Sequence, residues 1–139
     1  MPTDLMTSVP VWFWAALCAS VALTAAATRG ARRTTRDPRR AFNETERMAG
    51  FLRAGAQCEF ARWVFFRCTR TASHGDHFIP WSKGGATSMR NFVAACATCN
   101  MTKGAVMPSR LSRTLMAARR RRYFPSDIPR DAGEWWVTG

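Results

Sequence analysis

Residues 58–104 read CEFARWVFFRCTRTASHGDHFIPWSKGGATSMRNFVAACATCNMTKG, a stretch bracketed by four cysteines, Cys58, Cys68, Cys96 and Cys99. Cys96-x-x-Cys99 puts two thiolates on one tight turn, where both can reach a tetrahedral ion at Zn–S distances near 2.3 Å. Cys58 and Cys68 supply a second pair, although nine residues separate them where a knuckle usually has about two to four. Four thiolates would close a structural Zn²⁺ site in a domain too small to rely on its core alone. A redox pair at Cys96 and Cys99, or plain buried thiols, are the alternatives. With no βαβ pattern around the pair, zinc is the preferred reading. The fifth cysteine, Cys18, stands apart in an apolar run, so the count makes no even disulfide set.

Between and beyond the cysteines the pattern is of short elements. Trp63, Val64, Phe65 and Phe66 read as a buried strand, Phe78–Ile79 and Phe92–Ala95 as short ones, and Ser82-Lys83-Gly84-Gly85 as a loop. Upstream, Asn43 and Glu46 form a capping-box pattern, Met48, Phe51 and Leu52 share a helical face, and Gly55 suits the C′ position. These signals predict a helix over 44–54. Downstream, Ser109 caps a last helix with Leu111, Leu115 and Met116 inward, ending in Arg119 to Arg122 before Pro125.

The 139 residues leave room for one modest domain and exclude a large multidomain enzyme, while 47% hydrophobic content excludes a solvated tail. The net charge of +12, nearly all arginine, points to a polyanionic partner. Val9–Ala27 carries no charge and is long enough to span a hydrocarbon core of ~30 Å, so a membrane-crossing helix is expected. Arg29, Arg32, Arg33, Arg36, Arg39 and Arg40 follow it, and the positive-inside rule then keeps the remainder in the cytoplasm. A cleaved signal peptide or a false start codon are the alternatives, giving a secreted or a fully cytoplasmic protein. The basic n-region of a signal peptide is missing. The resulting division is a membrane anchor at 1–28, a basic linker at 29–41, a folded domain at 42–108 and a basic helix and tail at 109–139.

Within 42–108 the order Cys58…Cys68, Asp76-His77-Phe-Ile-Pro80, Ser82-Lys83-Gly84-Gly85, Asn91-Phe-Val and Cys96-x-x-Cys99-Asn100-x-x-Lys103-Gly104 resembles the cysteine-containing branch of the HNH endonuclease family. The resemblance implies a small α+β fold, a ββα-metal finger with a zinc brace, here preceded by the hydrophobic helix. It also implies hydrolysis of DNA phosphodiester bonds. His77 corresponds to the general base, a role for which an imidazole neutral near pH 7 is suited. Asp76, facing the opposite side of an extended strand, and Asn100 would hold Mg²⁺ or Mn²⁺; Asn100 stands where the name-giving motif ends in His. Asn91 matches the middle Asn, which fixes the loop and orients the base, and Cys58, Cys68, Cys96 and Cys99 would hold the zinc. Lys103 and Arg90 are candidates for phosphate contact. His74 is open to three roles: phosphate contact, replacement of Cys68 on zinc, or none. The rival reading is a zinc-stabilised nucleic-acid-binding module without nuclease activity. A lipid-binding basic stretch would explain Arg29 to Arg40 but not the Asp-His and cysteine pattern.

Overall fold

In a computed structural model, residues 10–30 and 36–137 are described. Val9, Arg32 and Arg33, which enter the expected anchor and linker, lie outside the described residues. The chain divides into two units, Met1–Thr34 and Thr35–Gly139.

The first unit contributes α1 (Val11–Gly30). The expected membrane-spanning helix is not supported: among the described residues no helix is long and apolar enough to cross a membrane. After its Trp12, Phe13 and Trp14 the helix is dominated by small side chains. The hydroxyls of Ser20 and Thr24 turn back onto the carbonyls of Leu17 and Val21.

The second unit is a small α+β fold built on two antiparallel strand pairs. Its first helix, α2 (Glu44–Arg53), starts with the capping box read from sequence: Asn43 accepts from the Glu46 N–H, and the Glu46 carboxylate accepts from the Asn43 N–H. Gly55 follows in the left-handed region at φ 63°, as a C′ glycine should. Strands β1 (Ala61–Trp63) and β2 (Phe66–Arg67) form a hairpin in which Trp63, Val64, Phe65 and Phe66 are exposed. The expected buried strand is therefore a hairpin tip. Cys58 and Cys68 lie at one cluster, so the chain between them must go out and come back, and its apolar middle falls at the turn.

Strands β3 (His74–His77) and β4 (Phe92–Ala95) pair in register from His74↔Ala95 to His77↔Phe92, and α3 (Ala97–Lys103) follows directly. All four residues of β4 are buried, which explains its unbroken apolar sequence. Phe92 sits against Gly50 of α2 and Gly75 of β3; a Cβ at either would lie 2.3 or 2.5 Å from its ring. Phe78 and Ile79 continue past the end of β3. There the Phe78 N–H donates to the Asn91 carbonyl and the Ile79 N–H to Asn91 Oδ1, so a side chain takes over from the ladder.

The last helix, α4 (Arg110–Arg120), is capped by Ser109 and buries Met116, but Leu111 is exposed while Arg119 and Arg120 are buried. Arg120 reaches the fully buried Glu59, Nε to Oε1 at 2.8 Å and Nη2 to Oε2 at 3.3 Å, and donates to the Phe92 carbonyl at 2.9 Å. Glu59 also accepts from Tyr123 Oη and from the Ala94 N–H. Every oxygen of the carboxylate is thus used, which is the condition for burying a charge; stranding either partner costs about 3–5 kcal/mol. Apolar periodicity cannot reveal such a pair.

Candidate functional site

The alternation of β3 and the position of its last two residues set the site. His77 ends the strand, with its ring over Phe42 at a centroid separation of 4.5 Å and Nε2 3.0 Å from Thr87 Oγ1. The Thr87 hydroxyl donates in a short contact to the Arg39 carbonyl, so its oxygen is the acceptor for the imidazole. This assigns the proton of a neutral His77 to Nε2 and leaves the Nδ1 lone pair free. Burial first, then the charge of Lys103, lowers the His77 pKa to about 4, so the ring is neutral at pH 7.

Asp76 lies opposite Val93, and Lys103 Nζ approaches its Oδ2 at 2.9 Å as an ion pair. The same ammonium donates to the His77 carbonyl at 2.6 Å. Burial raises the Asp76 pKa, with Lys103 working against it. Its Oδ2 is buried and lies against the Lys103 ammonium with no other partner. Asn100 lies on α3 one helical turn before Lys103 and is half-buried. A carboxylate with an amide oxygen suits a hard divalent ion, but Asp76 lines a cleft beside His77 that Asn100 does not.

Asn91 is fully buried, and its Nδ2 donates to the carbonyls of Ile79 (3.0 Å) and Ala86 (2.7 Å). The loop it spans turns sharply at Gly85, where a Cβ would come 1.9 Å from the Ile79 carbonyl oxygen, so only glycine fits. Two clefts open beside His77. One of about 180 Å³ is lined by Arg40, Asp76, His77, Trp81 and Gly104, and one of about 320 Å³ by Arg40, Phe42, Arg47, His74 and His77. Arg36 and Arg40 stack on Trp81 at 5.1 and 5.3 Å. A neutral imidazole, a carboxylate and a basic rim therefore meet at one end of a strand pair followed by a helix.

Residues 64–105 match the HNH endonuclease family. The matched segment begins at Val64, inside the β1–β2 tip, and takes in both strands of the β3–β4 pair and all of α3. No curated protein and no solved structure matches the chain.

The matched segment contains three of the four expected zinc ligands, and Cys58 joins them from just outside it. The four Sγ atoms lie within 4.8 Å of one another; tetrahedral zinc at 2.3 Å from each thiolate calls for separations of about 3.8 Å, so the residues fit the ion. The Cys99 N–H points at Cys96 Sγ at 3.5 Å. Burial pushes the Cys58 and Cys99 thiols up, whereas hydrogen bonds from the neighbouring Cys99 and thiols outweigh burial at Cys96 and draw it down to about 7. Such a cluster is compatible with the zinc-braced branch of the HNH family. His74 is not among the clustered groups; its Nδ1 pairs with Ser73 Oγ at 2.8 Å, and the side chain is exposed at the larger cleft.

Arg90 is held by the Asp131 carboxylate, both side chains being about half exposed, and neither cleft includes it. Lys103 is spent on Asp76 and the His77 carbonyl. A groove of about 430 Å³ lies beyond, between Phe60, Phe78, Met107 and Leu115, but it contains no carboxylate or imidazole. Sequence reasoning missed Thr87, Phe42 and Asp37 as parts of the site. Asp37 is buried, accepting from the Thr87 N–H at 2.7 Å and the Arg39 N–H at 2.8 Å. It had left one signal, a lone acid within an arginine run.

Proposed function

We propose that this protein is a metal-dependent endonuclease that hydrolyses DNA phosphodiester bonds, with His77 as general base. The observation that carries the reading is the neutral imidazole whose Nε2–H is committed to Thr87 beside a half-buried carboxylate. His77 takes a proton from water on Nδ1, and Thr87 holds the ring in the tautomer that allows it. Asp76 and Asn100 would hold Mg²⁺ or Mn²⁺, which supplies charge neutralisation at phosphorus and at the leaving oxygen. Asn91 keeps the loop after β3 closed through its three backbone contacts, so the base has a fixed partner in Thr87. Arg40 and Arg47, on the cleft rims, suit the flanking phosphates. The four thiolates would hold Zn²⁺ as a brace.

The test is nicking of supercoiled plasmid by the full chain with Mg²⁺ or Mn²⁺. His77→Ala is expected to abolish cleavage while leaving DNA affinity within a few-fold, because a neutral ring adds little to a +12 surface. A cleaving His77→Ala chain would refute the assignment. One observation favours the second reading, a zinc-stabilised DNA-binding module without turnover: Lys103 already supplies Asp76 with a cationic partner. That reading expects DNA binding without nicking at any metal concentration.

A further inference from the structure

The β1–β2 tip is an apolar feature left open in the second unit. Trp63, Val64, Phe65 and Phe66 are 71, 55, 58 and 64% exposed and follow one another in the chain. Four such side chains side by side mark a binding surface rather than the scattered apolar exposure of any protein. The backbone of this tip is held, not loose: Arg119 Nη1 donates to the Val64 carbonyl at 3.1 Å and Arg122 Nη1 to the Phe65 carbonyl at 3.2 Å. Arg62 precedes the tip in the chain and Arg122 lies against it, both exposed, and no acidic residue occurs from Phe60 to Gly75. The base of the hairpin is Cys58 and Cys68, gathered with Cys96 and Cys99 at the start of α3, the helix whose Lys103 meets Asp76. The tip is thereby coupled to the candidate catalytic strand through one cluster of side chains.

We infer that the Trp63–Phe66 tip is a base-stacking wedge that engages DNA carrying unpaired bases, with these arginines on the adjacent phosphates. Aromatic faces with guanidinium groups beside them complement nucleic acid: rings stack on any exposed base, and cations take the backbone. A duplex with all bases paired offers only the phosphates. The wedge rests on the proposed nuclease reading and deepens it by naming the substrate class, DNA with locally unstacked bases.

The experiment measures binding of the full chain to a duplex containing a short unpaired bubble, to the same duplex fully paired, and to anionic phosphatidylglycerol vesicles. It compares the unsubstituted chain with the double variant Trp63→Ala/Phe66→Ala, whose side chains are exposed and whose fold is checked by thermal melting. The bubble is expected to bind more tightly than the paired duplex, and the double variant to lose about tenfold or more on the bubble and less than about twofold on the paired DNA. Equal losses on both duplexes, or no loss on either, would overturn the wedge. So would a loss confined to vesicle binding, which would make the tip a membrane contact, or a change in oligomeric state, which would make it a contact between two copies. Nicking is scored separately: tip-dependent binding to the bubble by a chain that never nicks would refute the nuclease reading and support the wedge.

Discussion

At the scale of single residues, the site depends on who satisfies whom. Thr87 carries two roles through one hydroxyl, donating to Arg39 and accepting from His77. Thr87→Ala is expected to lower the cleavage rate roughly ten- to a hundredfold by freeing the imidazole to take the wrong tautomer, with KM little changed and Thr87→Ser restoring most of the rate. An unaltered rate in Thr87→Ala, or failure of serine to rescue a well-folded variant, would remove the hydroxyl from the mechanism. Asp76, His77, Asn91 and the cysteines were legible in the sequence because their spacing survives as linear order. Thr87 was not, because its partnership with a residue ten positions earlier depends on the Gly85 turn, and a threonine in a loop carries no distinguishing pattern. Arg90 misled for a related reason: its partner, Asp131, lies 41 positions away, and an arginine beside a candidate motif looks free until that partner is placed.

Among the elements, α2 and the strand at Phe92–Ala95 followed their local signals, since capping and apolar runs are short-range physics, whereas Phe78–Ile79, read as a strand, lies just past the end of β3. The hairpin tip and α4 did not follow theirs. Apolar side chains in the tip and charged ones in α4 exchange the places their chemistry suggests, because the cysteine cluster forces the first outward and the Glu59 carboxylate draws the second inward. The cluster is the element-scale device that holds the β1–β2 hairpin to α3. Cys96→Ser is expected to cost folding rather than rate alone, since thiolate binding to structural Zn²⁺ is worth on the order of 10 kcal/mol in small domains. Thermal melting and elemental analysis of purified protein check this together: fully folded, active protein lacking tightly bound zinc would contradict the brace.

For the whole molecule, the +12 charge and pI near 11.3 would, on the proposed reading, gather DNA before any chemistry. If about six phosphates are neutralised on binding, affinity for paired DNA is expected to fall about a thousandfold between roughly 50 and 200 mM salt; fluorescence anisotropy across that range measures the slope. A flat response would mean that contacts other than ion pairing dominate. The second unit also has a property that follows from where its two ends are fastened. Asp37, near its beginning, is bonded to the Thr87 N–H, and at its far end Glu134 and Trp136 pair with Ala86 and Gly84, with Trp135 bridged to Gly85. First and last segments are thus stitched to the same four-residue loop. A circular permutant that splices these ends and opens the chain elsewhere should keep its fold, whereas a pulling force applied to the ends would load that loop, and with it the partner of His77, before any other part of the unit.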